Sequence, residues 1–224
     1  MNRNQFLKLS AGVAAGTLVT PFAGSAYSAE TKLTIKKSLK FGMVEEKLSV
    51  LDKFKLLKDV GFHGVELDSP NDLNMKEILD ARDKTGLLIP GTVNSLHWKS
   101  PISDPDPKVR AICTESMKNA LRDTKAYGGN TVLLVNGVVN DKVSYDEAYS
   151  RSQEEIRKII PVAEETGVKI AIENVWNNFL ISPMEAARYV DELNSEMVGW
   201  YFDIGNILRY GWPEQWIKIL DKRI

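Results

Sequence analysis

Hydrophobic and polar positions follow two periods along residues 36–224. Short apolar runs that predict strands occupy six places: 38–44, 63–68, 87–95, 131–136, 168–174 and 198–203. Between these runs, apolar residues recur every three or four positions, as on the buried face of a helix. The first helical segment has Val50, Leu51, Phe54, Leu57 and Val60 on one face, with Gly61 as the residue that ends it. The pattern predicts six βα units of roughly 30 residues each.

Two predicted helices also carry starting signals. Ser144 with Glu147, and Ser182 with Glu185, have the spacing of a capping box, in which a serine and a glutamate bond to each other's backbone N–H groups. Pro183 follows Ser182 and suits the first turn of a helix, where its missing N–H has no partner to lose.

The strands indicate a parallel sheet, because apolar strands without alternation are typical of a sheet that helices cover on both faces. Two architectures fit, an open doubly wound sheet and a (β/α)8 TIM barrel. The first strand is followed by FGMVEEK (41–47) rather than by a G-x-G-x-x-G motif, so a dinucleotide-binding sheet loses its main support.

Polar residues at the strand ends favour the barrel. They follow the carboxyl ends of most strands: Glu66, Asp68, Asn94, His97, Asn136, Glu173 and Asp203. In a barrel these ends meet in one mouth, whereas an open sheet would spread them along an edge of about 25–30 Å. We therefore expect an α/β fold, an incomplete (β/α)8 TIM barrel of about six units over residues 30–224. Because such a barrel has eight units and residues 222–224 have the pattern of a seventh strand beginning, we expect a C-terminally truncated barrel.

Composition narrows the class of protein. The 224 residues carry a formal net charge of −1 and are 43 % hydrophobic, which is ordinary for one globular domain. Nucleic-acid binding is disfavoured because no basic stripe is present. The single cysteine, Cys113, excludes an internal disulfide and a cysteine-rich metal site, and its helical pattern predicts burial.

Residues 1–29 have the pattern of an export signal. Arg3 and Lys8 precede a weakly apolar stretch of small residues at 9–24, and small residues at 26–29 suit cleavage. The run RNQFLK (3–8) resembles the bacterial twin-arginine signal, with Asn4 in place of the second arginine. We expect export to the periplasm by a twin-arginine-like or Sec route, with no membrane span left after the signal is removed.

Glu173 and Asp203 end two successive apolar strands, which is a costly place for a carboxylate unless it is paired or binds a metal. Two such acids close together repel each other and raise one pKa. A divalent cation such as Mg²⁺ or Mn²⁺ would offset both costs. A salt bridge to a lysine or arginine in the mouth explains the acids equally well, so spacing alone leaves both hypotheses open.

Three segments resemble a known family: GFHGVELDSP (61–70), the IEN of 172–174 and the FDIGN of 202–206. They are similar to the xylose-isomerase-like TIM-barrel family of sugar and sugar-phosphate isomerases and epimerases, and closest in wording to L-ribulose- and L-xylulose-5-phosphate 3-epimerases. The resemblance implies one divalent metal, Mn²⁺, Mg²⁺, Co²⁺ or Zn²⁺, held by Glu173 and Asp203 with a histidine and a glutamate from strands seven and eight. Many ketose 3-epimerases have a histidine where Asn206 stands.

The resemblance also implies a reaction. Glu173 would move a proton at the carbon next to a sugar carbonyl, through an enediolate. From their positions near strand ends, His97, Glu66, Asn136 and Trp176 are the candidate substrate contacts. The alternatives are an ordinary loop residue for His97, an internal salt bridge for Glu66 and loop packing for Trp176. The expected partner is a small sugar or sugar phosphate, with a homo-oligomer possible at full length.

Two alternatives belong to other classes. Endonuclease IV shares this barrel but needs many histidines, and the chain has two. A non-catalytic sugar-binding or degenerate barrel is the stronger rival, because two carboxylates should hold a metal weakly. We expect the 224-residue form itself to be inactive.

Overall fold

The computed structural model describes residues 35–224, so the predicted export signal at 1–29 lies outside the described residues. Strands and helices alternate along this part of the chain. The strands are β1 (Ser38–Lys40), β2 (Gly64–Ser69), β3 (Gly91–Asn94), β4 (Thr131–Leu134), β5 (Lys169–Glu173) and β6 (Val198–Tyr201). The helices are α1 (Val50–Asp59), α2 (Met75–Thr85), α3 (Pro107–Tyr127), α4 (Tyr145–Thr166), α5 (Pro183–Glu192), α6 (Ile204–Ile207) and α7 (Pro213–Leu220).

All six strands form one parallel sheet in the order β1-β2-β3-β4-β5-β6, so each strand pairs with its neighbours in the chain. This confirms the predicted parallel βα architecture. The sheet is strongly curved, as one hydrogen bond between distant strands shows. The Tyr201 hydroxyl of β6 donates to Glu66 Oε1 of β2 at 3.0 Å. Because side chains stand roughly perpendicular to a sheet, a flat sheet would hold the side chains of Tyr201 and Glu66 four strand spacings apart, or about 19 Å. The curvature is that of a TIM barrel.

Side chains alternate between the inside of the barrel and the helix layer. On β2, Glu66 and Asp68 point inward and are partly exposed, whereas Val65 and Leu67 are fully buried under helices. Inside the barrel, Val93, Leu133, Val135 and Val175 form a small apolar cluster. Two larger clusters lie between the sheet and the helices, one under α1 and α2 and one under α3, α4, α5 and α7. Cys113 is buried in the second of these, as predicted.

Several local predictions are refined. The capping box of α4 forms as predicted, with Ser144 and Glu147 bonded reciprocally. The one predicted at α5 does not, because the Tyr145 hydroxyl donates to Glu185 Oε2 at 2.5 Å and occupies that carboxylate. The prediction that residues 222–224 begin a strand is wrong: Asp221–Arg223 form a 3-10 turn, in which the Arg223 guanidinium pairs with Asp191. Over residues 35–224, no helix combines the length and apolarity needed to cross a membrane.

A candidate active site at the mouth of the barrel

The carboxyl-terminal parts of three strands bring an acidic cluster of four residues into the mouth. Glu66 and Asp68 come from β2, Glu173 ends β5, and Asp203 follows β6. Glu173 is directly opposite Tyr201 in the pairing of β5 with β6, so Asp203 lies two residues further on along the same face. The prediction that these acids share one site therefore agrees with the register of the sheet.

Glu173 is the most perturbed of these acids. Burial raises its pKa to about 7, with further contributions from the negative charges of Asp203 and Glu66 that outweigh the positive charge of Lys40. A carboxyl group with a pKa near 7 can both accept and return a proton at neutral pH, which is the property of a general base. The contribution of Asp203 shows that its charge acts on the Glu173 carboxyl.

Asp203 is the first residue of a tight turn. Its Oδ1 accepts a hydrogen bond from the Asn206 backbone N–H at 2.7 Å and so caps α6. The Asn174 side chain binds the Asp203 backbone, accepting from its N–H and donating to its carbonyl. The carboxylate is thus held by local hydrogen bonds, with Oδ2 left for another partner.

Glu66 faces the inside of the barrel and accepts the Tyr201 hydroxyl. Burial raises the pKa of Glu66, and the bond from Tyr201 and the charge of Lys40 oppose that rise. Burial and the charge of Glu66 raise the pKa of Tyr201 as well, so the phenol stays a donor at neutral pH. This hydrogen bond crosses the barrel below the mouth.

Lys40, at the end of β1, is the cation that acts on this cluster. Its Nζ lies 2.8 Å from Asp68 Oδ1, and its charge also influences the pKa of Glu66, Glu173 and His97. One lysine against four carboxylates leaves the mouth with an excess of negative charge, an arrangement that favours a bound cation.

His97 is buried in the loop after β3, with 4 % of its surface exposed. Its Nδ1 accepts the Val135 backbone N–H at 3.2 Å, which places the ring proton on Nε2. Burial and the positive charge of Lys40 lower the pKa of His97 to about 4, against the opposing charge of Asp68. His97 is therefore neutral at pH 7, with Nε2–H as its donor.

The other two predicted substrate contacts are not brought to the same place. Asn136 is 1 % exposed and lies on the helix side of β4, beside the Tyr189 hydroxyl of α5, where its Nδ2 lacks a partner with hydrogen-bond geometry. Trp176 is 59 % exposed on the loop after β5, with its indole N–H bonded to the Asn206 carbonyl at 3.2 Å. The Arg209 guanidinium lies over the Trp176 ring, 5.2 Å from its centre, so this pair belongs to the rim.

Glu173 and Asp203 match a hard divalent cation in chemistry, since both are oxygen donors and their charges repel without one. Among residues 35–224, however, no group of three His, Cys, Asp or Glu side chains is placed to hold a metal ion. Glu173 and Asp203 are two of the four residues that the resemblance implies as metal ligands.

A cavity of about 930 Å³ lies beneath the acidic cluster. It includes Glu66 and Tyr201 but neither Glu173 nor Asp203, and it extends to the amino ends of the strands at Thr131 and Lys169. Active sites of such barrels lie at the opposite, carboxyl end, so the acids rather than this cavity mark the candidate site.

Sequence reasoning did not single out Lys40 and Tyr201, which the structure places among the acids. Tyr201 could have been found by alternation, because it stands two residues before Asp203 and so shares its face. Lys40 gave a weaker signal, because it lies within the predicted run 38–44, and the sequence does not show how that run pairs.

Comparison with known proteins identifies the class. The xylose isomerase-like TIM barrel family matches residues 54–224, and the chain belongs to this family. Among curated relatives, L-ribulose-5-phosphate 3-epimerase UlaE of Escherichia coli is 26 % identical over 188 residues, which cover 77 % of this chain and 66 % of that protein. The enzyme of the same name from Salmonella paratyphi B is 24 % identical with the same coverage. The chain thus spans just under two thirds of the length of these relatives.

Solved structures agree with the fold. The 3-keto-D-glucoside 4-epimerase YcjR from E. coli superposes with a TM-score of 0.76 at 18 % identity, covering 85 % of this chain and 77 % of that one. An L-ribulose 3-epimerase gives 0.74 at 16 % identity, covering 85 % and 68 %. At these identities the likeness establishes the TIM-barrel fold.

Proposed function

We propose that this chain is a sugar or sugar-phosphate epimerase or isomerase with its catalytic base and metal-binding acids at the mouth of the barrel. The observation that carries the proposal is Glu173, whose pKa rises to about 7 through burial and the charge of Asp203 at the mouth of the barrel. The similar curated proteins are named as 3-epimerases of L-ribulose 5-phosphate, which supports a ketose or ketose phosphate as the substrate.

Glu173 is the proposed base. Its pKa is matched to neutral pH, so it can take a proton from the carbon next to a sugar carbonyl and return it. Neutral His97 donates from Nε2–H to a substrate oxygen, and Glu66, held by Tyr201, accepts from a sugar hydroxyl. Trp176 and Arg209 line the rim, where an aromatic face suits the apolar side of a sugar ring.

Glu173 and Asp203 would hold the divalent metal, Mn²⁺, Mg²⁺, Co²⁺ or Zn²⁺, together with ligands outside the described strands. Such an ion supplies Lewis-acid stabilisation of the negative charge that develops when a C–H next to a carbonyl is deprotonated. Export to the periplasm, as the residues at 1–29 suggest, is part of the same proposal and favours an unphosphorylated sugar.

The test is deuterium incorporation from D2O into a panel of ketoses and ketose 5-phosphates, followed by proton NMR with the purified protein and added Mn²⁺. We expect exchange at the carbon next to the carbonyl, with a loss of at least about a hundredfold in Glu173→Gln. Absence of exchange with every ketose tested would refute an epimerase or isomerase.

A second candidate is a barrel that binds a sugar without turning it over. It is favoured by one observation, that residues 35–224 contain no three-ligand metal group. Saturable ketose binding by calorimetry, without any deuterium exchange, would select this function.

A further inference from the structure

The ends of β5 and β6 are joined by side chains where their backbone pairing stops. The last paired residues are Glu173 and Tyr201. Beyond them, Asn174 Oδ1 accepts the Asp203 N–H at 3.0 Å, and Asn174 Nδ2 donates to the Asp203 carbonyl at 2.7 Å. The side-chain amide therefore binds both backbone groups of one residue, as a neighbouring strand would.

Further hydrogen bonds fix Asn174 itself. Its Oδ1 also accepts the Trp200 indole N–H at 2.9 Å, and its backbone carbonyl accepts Asn206 Nδ2 at 2.9 Å. Asn174 is 4 % exposed, so water offers little competition for these bonds. Through them Asn174 and Asn206 connect the residue after Glu173 with the turn that begins at Asp203.

We propose that Asn174 is a positioning residue, which fixes the Asp203 carboxylate relative to Glu173. Holding both the N–H and the carbonyl of Asp203 restricts rotation on either side of its Cα, and its side-chain direction follows from that. Asn206 supports the same arrangement from the turn, since its backbone N–H binds Asp203 Oδ1 and its side chain binds Asn174. This inference rests on the proposed function, in which the two carboxylates share a cation.

The test compares Asn174→Ala and Asn206→Ala with a matched control, Thr92→Val. Thr92 is also a fully buried polar residue on the helix side of a strand, and its hydroxyl bonds only to Thr124, at 2.7 Å. Thr92→Val therefore removes a buried hydrogen bond without touching β5 or β6. Thermal unfolding of all three variants shows how much stability each has lost.

The first measurement is Mn²⁺ binding, read from the electron paramagnetic resonance signal of the free ion. We expect Asn174→Ala to weaken binding at least about tenfold, as is typical when a group that orients a metal ligand is removed. Asn206→Ala should weaken it less, and Thr92→Val should bind as the wild type does. Equal affinity in Asn174→Ala and the wild type would overturn the proposal; if Asn174→Ala does not fold, Asn206→Ala decides.

The second measurement needs no metal. Hydrogen exchange of the segment 200–208 should be faster in Asn174→Ala than in Thr92→Val, because the Asp203 N–H loses its acceptor. Unchanged exchange there would overturn the positioning role. If the wild type binds no Mn²⁺, the metal part of the proposed function fails, and hydrogen exchange alone then decides the role of Asn174.

Discussion

Replacing Glu173 by glutamine should make the metal-free protein more stable at pH 8 and leave its stability at pH 4 nearly unchanged. Glutamine has the same shape but carries no charge. The change therefore removes the repulsion from Asp203 and Glu66 and the cost of burying a carboxylate, which together raise the pKa of Glu173 to about 7.

The magnitude follows from that pKa. Its ordinary value is 4.5, and each tenfold change in a proton equilibrium corresponds to about 1.36 kcal/mol. The charged form of Glu173 thus costs the folded protein about 3 kcal/mol, and screening by water at a partly exposed side chain brings this to about 2–3 kcal/mol.

The direction of the pH dependence is fixed by linkage. Between pH 4.5 and 7 the folded state binds the Glu173 proton more tightly than the unfolded state, so the free energy of unfolding falls as the pH rises. The effect is absent below the unfolded pKa and complete above the folded one. Glutamine does not titrate, so the difference between variant and wild type grows over this range alone.

Urea unfolding followed by circular dichroism, with a chelator present, measures the effect at pH 4, 6 and 8. Glu155→Gln is the contrasting control, because hydrogen bonds from Lys158, Thr114 and Arg110 outweigh burial and lower the pKa of Glu155; this variant should lose stability at pH 8. A Glu173→Gln variant that is destabilised at pH 8, or shifted equally at pH 4 and pH 8, would refute the reasoning.

Three further predictions concern other polar groups. His97→Asn keeps an acceptor near the position of Nδ1. Because the pKa of His97 is lowered to about 4 from 6.5, the wild type should lose about 2–3 kcal/mol of its free energy of unfolding as the pH falls between these two values. The variant should not show this loss, and urea unfolding at pH 7 and pH 4 measures the difference. Tyr201→Phe should raise the pKa of Glu66 and lower the free energy of unfolding at pH 8 by about 1 kcal/mol, because the hydrogen bond to Glu66 is lost. If the carbon-13 titration of the Glu66 carboxyl is the same in the variant and the wild type, the hydrogen bond is contradicted. Arg110→Met leaves the buried Glu155 with one ion-pair partner fewer, so it should lower the free energy of unfolding by about 2–3 kcal/mol. A loss of less than about 0.5 kcal/mol would argue against a desolvated ion pair.

The alternation of β2 places Glu66 and Asp68 on one face of that strand, while their role in a site stays a prediction. In GVELDS the apolar Val65 and Leu67 alternate with Glu66 and Asp68, so the inward face can be read directly. By the same alternation, Tyr201 lies on the same face as Asp203, which follows it by two residues. The fold class was predictable for a related reason, since six apolar runs separated by helical periods leave few parallel architectures.

Asn136 shows where this reasoning stops. It follows the run TVLLV, which is apolar on both faces, and such a strand gives no sign of which residues point inward. Only the packing of Leu134 among the helices and of Val135 inside the barrel shows that Asn136 lies on the helix side. Likewise, Glu185 binds the Tyr145 hydroxyl instead of forming the predicted capping box. Tyr145 is 40 residues away in the chain, so no local sequence pattern indicates this hydrogen bond.

The order of the strands has a consequence for how the protein is made. Each of β2 to β6 pairs with the strand before it in the chain, so each of these five strands meets a partner that has already been synthesised. Each new βα unit can add to an edge already formed while the ribosome is still extending the chain, as expected when domains fold from the amino terminus during synthesis. Glu66 on β2 would then lack its hydrogen-bond donor until β6, which carries Tyr201, has been synthesised and has paired. Formation of this bond therefore reports that the sheet has reached its final curvature.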